Sequence, residues 1–265
     1  MNDLVEMVTW DHPRRQSKTC MVHKTKGLVM RSVRYGDTSL VVSVFTELFG
    51  MQSYMVNGVR KVAAKGGLRA SMFEPGTMLE LVVYHNGKQG LQRIREAAWV
   101  NLDRYRGMDV RKQSVLYFML ELLQKCLRQP EPHPELFHFM EDAMEVLDAA
   151  VPQVAANLPL FFILHLSHFF GFRMHDNLDA DNLHLDLREG VFTPEPPDHA
   201  DCADVEQSRL IGQFLRALQP EDLEEMPMTR EGRRSLLDLC LRYYALHIPD
   251  FGKMRSLPVL QELLD

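Results

Sequence analysis

The sequence predicts an α+β chain in two parts, a five-stranded N-terminal barrel followed by an all-α helical domain. Three observations carry that expectation. Between residues 23 and 102, short segments place apolar residues at roughly every second position. After Asp109 the apolar period lengthens to about 3.6 residues. The charge divides near the same place: residues 1–100 hold 14 Lys and Arg against 8 Asp and Glu, and residues 101–265 hold 16 against 28. With 265 residues, 46% hydrophobic and 25% charged, the chain can bury one large core or two smaller ones. That composition excludes wholesale disorder, a collagen and a disulfide scaffold.

The first 22 residues, MNDLVEMVTWDHPRRQSKTCMV, have no apolar core and no small-residue cleavage site, so they are not a secretory signal. They read as a weakly ordered extension, with Met21 an alternative start. Strand-like segments then follow in order. Lys24–Tyr35 alternates and ends in the turn Tyr35-Gly36-Asp37. Thr38–Phe45 is a dense apolar run closed by the turn Glu47–Gly50, and Met51–Val56 alternates again. Thr77–Tyr84 and Leu91–Asn101 flank Asn86-Gly87-Lys88, a hairpin signal. Five strands in about 80 residues, with a long connection after the third, fit an OB-fold over residues 23–102. That connection, Asn57–Pro75, carries Arg60, Lys61, Lys65 and Arg69 beside Gly58, Gly66 and Gly67, and no acidic residue lies between Glu47 and Glu74. A basic, glycine-bearing loop suits a phosphate backbone followed without base readout. Among the aromatic residues, Phe45 and Phe73 read as core. Tyr35, Phe49 and Tyr54, beside turns or polar neighbours, fit either barrel packing or exposed rings on which bases stack.

The helical part, residues 103–265, begins with an amphipathic helix, Val110–Arg128, stopped by Gln129-Pro130. Pro134–Ala150 is a second helix. A third is expected to start at Asn157-Leu-Pro, with Asn157 as N-cap, and to run apolar nearly all round to Phe170, which marks a buried centre. Leu158–Phe172 is the longest apolar stretch, too short to span a membrane and interrupted by His165 and His168. An irregular insertion near 173–202 holds a short hairpin, Leu183–Leu187 with Gly190–Thr193. Helices over Ala203–Leu218, Thr229–His247 and Leu257–Leu264 complete the chain.

Catalytic signatures are missing. There is no phosphate-binding Gly-rich loop, no dinucleotide fingerprint, no nucleophile elbow and no HEXXH. His165, His168, His175 and Asp176 form the one metal-like cluster. On an otherwise apolar helix, His165 and His168 are better read as rings satisfied by bundle partners. The carboxylates within Asp179–Asp181 and Glu221–Glu225 read as solvated charges. Cys20, Cys126, Cys202 and Cys240 form no CxxC pair and are expected to be reduced thiols in a cytoplasmic protein. Nothing here argues for an enzyme.

Two stretches resemble a known family. Lys24–Lys61, KTKGLVMRSVRYGDTSLVVSVFTELFGMQSYMVNGVRK, is similar to the opening of RecO, the bacterial repair and recombination mediator. It has the K-x-x-G-x-V-x-R start, the Y-G-[DE]-x-S-L turn, the F-T-x-x-x-G turn and the G-V-[RK] loop entry. Arg242–Leu264, RYYALHIPDFGKMRSLPVLQELL, resembles the family's closing H-x-x-x-F-x-x-x-[KR]-S motif and terminal helix. The resemblance implies binding to single- and double-stranded DNA and annealing of complementary strands. It also implies partnership with RecR, contact with the single-stranded DNA-binding protein SSB, indirect help to RecA loading, and a bacterial, nucleoid-associated location with no membrane role. Many members carry a four-cysteine zinc module. The corresponding Gly171–Cys202 has only Cys202, so no zinc or other cofactor is expected.

On this reading the candidate DNA contacts are Lys24, Lys26, Arg31, Arg34, Arg60, Lys61, Lys65, Arg69 and Lys88, with the rings of Tyr35 and Phe49. Arg34, Arg60, Lys61 and Arg69 stand out, beside turns or in the long loop. Arg111, Lys112, Lys125 and Arg128 on the first helix are the only dense basic group for an acidic SSB tail. Two other classes share these features: an RNA-binding module and a protein-binding adaptor without annealing activity.

Overall fold

Val, Ile, Thr and aromatic residues favour the pleated strand, and they dominate the first part of the chain. In the computed structural model, which describes residues 21–59, 68–85, 90–100 and 109–264, this part is a closed barrel. Its strands are β1 (Met21–Tyr35), β2 (Ser39–Thr46), β3 (Gly50–Val56), β4 (Met78–His85) and β5 (Leu91–Trp99), hydrogen-bonded in the order β1-β2-β3-β5-β4. β1 closes the barrel by serving two neighbours. Its residues from Gly27 onward pair with β2, and Met21–Leu28 pair with β4. A register shift between Val29 and Arg31 lets the strand turn from one to the other. Only β3 and β5 run parallel. This is the OB-type barrel that the sequence predicts. A 3₁₀ turn, Ala70–Phe73, was not legible in the sequence.

The barrel interior holds Val29, Val42, Val44, Val56, Leu81, Val83 and Ile94, joined by Met72 and Phe73. Tyr54 belongs here and is fully buried, so of its two readings the core one is correct. Among the described residues its hydroxyl has no hydrogen-bond partner, and burial pushes the phenol pKa far up. Phe45 is also fully buried, but on the outer side of β2, where the ring of Phe137 covers it at 5.6 Å.

Chain contacts divide the molecule into two units: Met1–Gly107 with Leu127–His138, and Met108–Cys126 with Phe139–Asp265. The second is built from α1 (Val110–Cys126), α2 (Pro134–Ala149, of which the first residues lie in the barrel unit), α3 (Pro152–Leu166), α4 (Val205–Arg216), α5 (Pro220–Glu224), α6 (Arg230–His247) and α7 (Leu257–Leu263). A small hairpin, β6 (His184–Asp186) with β7 (Val191–Thr193), sits in the irregular insertion.

The third helix starts earlier than expected, with Val151 rather than Asn157 at its N-cap. Pro152 occupies its first turn and Asn157 lies inside, fully buried. The Asn157 amide does not cap the helix. Its Nδ2 donates to the carbonyls of Leu223 and Met226, both at 3.0 Å, and Oδ1 accepts from Arg233 Nε at 3.3 Å. Continuing through a 3₁₀ turn, Pro152–Phe170 is longer than the apolar stretch read from sequence. It is long and apolar enough to cross a membrane, yet most of it is buried within the protein.

Candidate nucleic-acid interface

In a sheet, residues directly opposite one another on neighbouring strands point to the same side. The registers therefore define a continuous outer face on β1, β2, β3 and β5. One row across it is Arg31, Ser43, Ser53 and Leu91. The next is Val33, Val41, Met55 and Arg93, and Tyr35 lies opposite Ser39 beyond them. The inner rows, such as Val42, Tyr54 and Gln92, are buried. The outer face is not: Val33, Tyr35 and Leu91 are 44%, 61% and 52% exposed. Large apolar side chains held in water between two exposed arginines are unusual for a surface without a partner. β1, β2 and β3 contain no Asp or Glu.

A cleft of about 840 Å³ adjoins this face. Phe49, Met51, Ser53, His85 and Leu91 line one side, and Arg128, Pro130 and Pro132 the other. The second wall is held by backbone approach. Gly50, at φ 63°, lies so close to Glu131 that a Cβ there would stand 2.0 Å from the Glu131 carbonyl oxygen. Phe137 against Phe45, and His138 Nε2 at 3.6 Å from a Glu47 carboxylate oxygen, extend the contact.

The β2–β3 turn fixes Phe49. Its N–H donates to Thr46 Oγ1 at 3.1 Å, and its carbonyl accepts from Gln52 Nε2 at 2.7 Å. The Phe49 ring stacks on His85, with centroids 4.0 Å apart and planes 15° from parallel, and His23 meets it edge-on at 5.2 Å. Burial, helped by the neighbouring His23, lowers the His85 pKa, which favours the neutral ring.

The residues predicted from sequence do not form one patch. Arg31 and Tyr35 lie on the outer face, and Phe49 is in the cleft. Arg34 is exposed but lies opposite Leu40, on the other side of the strand. Lys24 and Lys26 lie opposite Val82 and Glu80 of β4. With Arg95, itself paired to Glu96 at 3.2 Å, they line a separate cleft of about 800 Å³. Arg69 is exposed just before the 3₁₀ turn. Arg60, Lys61, Lys65 and Lys88 fall outside the described residues.

Sequence reasoning did not find Val33, Met55, Leu91, Arg93, His85 or the cleft role of Arg128. The alternation of Leu91 and Arg93 was the available signal for two of them. Arg128 was read as helical, but α1 ends at Cys126 and Arg128 belongs to the barrel unit.

In the second unit His165, His168 and Asp176 line one cleft of about 280 Å³ together with Arg173, while His175 is not part of its lining, and His165 Nε2 has no hydrogen-bond partner among the described residues. Burial lowers the His165 pKa, outweighing backbone hydrogen bonds at Phe214 and Ala217, and the ring packs on Phe161 at 4.2 Å. Asp176 is taken up by a bidentate contact with Arg216 at 2.8 and 2.9 Å. Among the described residues no three His, Cys, Asp or Glu side chains come together as metal ligands.

The insertion does not fit a four-thiolate zinc site, since Cys202 is its only cysteine. Polar side chains cross-link it. Asn177 pairs with both backbone groups of Phe192. Asp186 accepts the Arg188 N–H at 2.8 Å. Arg188 and Arg242 both bind Asp201 and hold its carboxyl below the usual carboxylate range.

Comparison with known proteins agrees with this architecture. The family model for the recombination protein O N-terminal region matches residues 21–102, and that for its C-terminal region matches 108–258. Proteins named DNA repair protein RecO align along nearly their whole length. That of Christiangramia forsetii is 30% identical over 92% of this chain and 99% of its own. Those of Azobacteroides pseudotrichonymphae and Bacteroides fragilis are 28% and 29% identical, each covering 92% of this chain and all of the relative. Matched over most of its length by both family models and by these relatives, the chain belongs to the RecO family.

Proposed function

We propose that this protein is a DNA repair and recombination mediator that binds single- and double-stranded DNA and anneals complementary strands. The observation that carries this reading is the outer barrel face, where Arg31 and Arg93 flank exposed Val33, Tyr35 and Leu91 and half-buried Met55 on a surface whose first three strands carry no carboxylate. Cations there neutralise phosphates, and the apolar and aromatic side chains accept unstacked bases. Annealing requires no bond chemistry. It requires that repulsion between two backbones be screened while the bases stay free to search. The protein is accordingly proposed to act without a catalytic site.

Family membership supports the finer roles: partnership with RecR, contact with SSB, and help to RecA loading on coated strands in the bacterial cytoplasm. It is also proposed to do without zinc, because the hydrogen-bonded insertion replaces a metal cross-link. Stoichiometric zinc in the purified protein by elemental analysis would contradict that. Fluorescence-monitored pairing of complementary oligonucleotides, bare and SSB-coated, tests the main reading. The protein should accelerate pairing, and the effect should fade as salt rises. Folded protein that neither anneals nor binds DNA at low salt would favour a protein-binding adaptor.

A further inference from the structure

We infer that the cleft between Phe49 and the Arg128–Pro132 wall is a base-binding subsite for single-stranded DNA. In it an unstacked base lies against the Phe49–His85 ring pair and Arg128 holds the adjoining phosphate. The inference rests on the proposed DNA-binding function and gives it a place and two separable contacts.

The cleft is of the size that small organic ligands occupy, roughly 300–1,000 Å³, at about 840 Å³. Its lining is mostly apolar and aromatic, with Gln52 and Ser53 as polar members, and among the described residues no carboxylate contributes to it. Arg128 is its one permanently charged side chain among the described residues. That combination selects a ligand with a flat apolar body and a single nearby anionic group. A nucleotide of a single strand has both, whereas a paired base has its faces already covered by neighbours.

The ring pair suits stacking because Phe49 is fixed through its own N–H and carbonyl by Thr46 and Gln52 and its ring lies nearly parallel on His85, whose pKa burial lowers. Beyond Phe49, Ser53 and Leu91 belong both to the cleft and to the row that contains Arg31. A strand lying across the outer face therefore runs into the cleft without a break in the surface. The wall with Arg128 is set by the Gly50–Glu131 approach, so the cation is placed by backbone rather than by a flexible stem alone.

Stacking and phosphate contacts respond differently to salt, which separates the two claims. Fluorescence anisotropy of a labelled oligothymidine is measured over a salt series for the wild type, Phe49→Leu and Arg128→Gln, with folding followed by circular dichroism. Phe49→Leu should bind on the order of tenfold more weakly with its salt slope unchanged. Arg128→Gln should lower the slope by about 0.7, the loss of one phosphate contact on a single strand. Phe49→Trp provides a second reading if the leucine variant folds poorly, because its indole emission should be quenched on DNA binding beyond the wild-type change. Wild type that binds no single-stranded DNA would sink the proposed function itself. Wild-type binding with unaltered affinity in Phe49→Leu, or an unaltered slope in Arg128→Gln, would overturn the subsite and leave the cleft to a protein partner.

Discussion

At Gly50 two constraints coincide. Its φ of 63° lies in the left-handed region, and an added Cβ would collide with the Glu131 carbonyl oxygen at 2.0 Å. Either alone is costly for a side chain. Backbone cannot swing aside as the end of a lysine can. Gly50→Ala is therefore expected to destabilise the protein by about 2–4 kcal/mol, seen as a lower midpoint in urea unfolding. A midpoint equal to that of the wild type would contradict the close approach of Leu127–His138 to the β2–β3 turn. The sequence shows Gly50 as a turn residue and nothing more, because the residue that it meets is far along the chain. Tyr54 and Asn157 were hard to read for a similar reason. A tyrosine beside Gln52 and Ser53 looks half exposed, and an Asn two residues before a proline looks like a helix cap. Their places are decided by a closed barrel and by the carbonyls of Leu223 and Met226, both non-local.

Elements show the same division between local and non-local signals. The strands and long helices follow from their periods, so their existence and order are legible. Their ends are less so: β1 starts at Met21, α1 stops at Cys126, and the short α5 was not expected. The closing H-x-x-x-F-x-x-x-[KR]-S stretch gains a physical account here. His247 stacks on Phe172 at 5.4 Å and its Nε2 lies 3.1 Å from the Leu187 carbonyl oxygen. Phe251 packs on Tyr244, and its carbonyl accepts from Lys125 Nζ at 2.5 Å. The N–H groups of Arg255 and Ser256 and the Ser256 hydroxyl all donate to Glu121 on α1, at 2.8, 2.7 and 2.6 Å.

Burial alone would raise the Glu121 pKa, but these hydrogen bonds and the nearby Lys125 outweigh it and hold the carboxyl below its usual range. A pKa lowered by folding stabilises fully above the unfolded value, about 4.3 for glutamate. That contribution is lost as pH falls through the folded value. Glu121→Gln should cost about 1 kcal/mol near neutral pH, with faster amide exchange confined to Arg255, Ser256 and the following α7. The difference from wild type should shrink as the pH falls below the folded pKa. A cost that does not change over that acid range would contradict the assignment.

Over the whole molecule, the feature most visible in sequence is charge, +6 over residues 1–100 and −12 over the remainder. It points to a polyanion partner for the barrel and to proteins as the natural partners of the acidic part. What charge could not reveal is where on the barrel the partner lies. The cations singled out in sequence are spread over more than one side of β1, and several lie outside the described residues. Strand register instead gathers Arg31 with Arg93, and chain contacts bring Arg128 into the same unit. This outer face is proposed to hold DNA. The most direct measurement is oligonucleotide annealing across a salt series by the wild type and by the Arg31→Glu/Arg93→Glu double variant, with folding checked by thermal unfolding. Both positions are exposed, so the variant should fold. It should lose most of the acceleration at every salt concentration where the wild type is active. A well-folded double variant that anneals as fast as the wild type would contradict the claim.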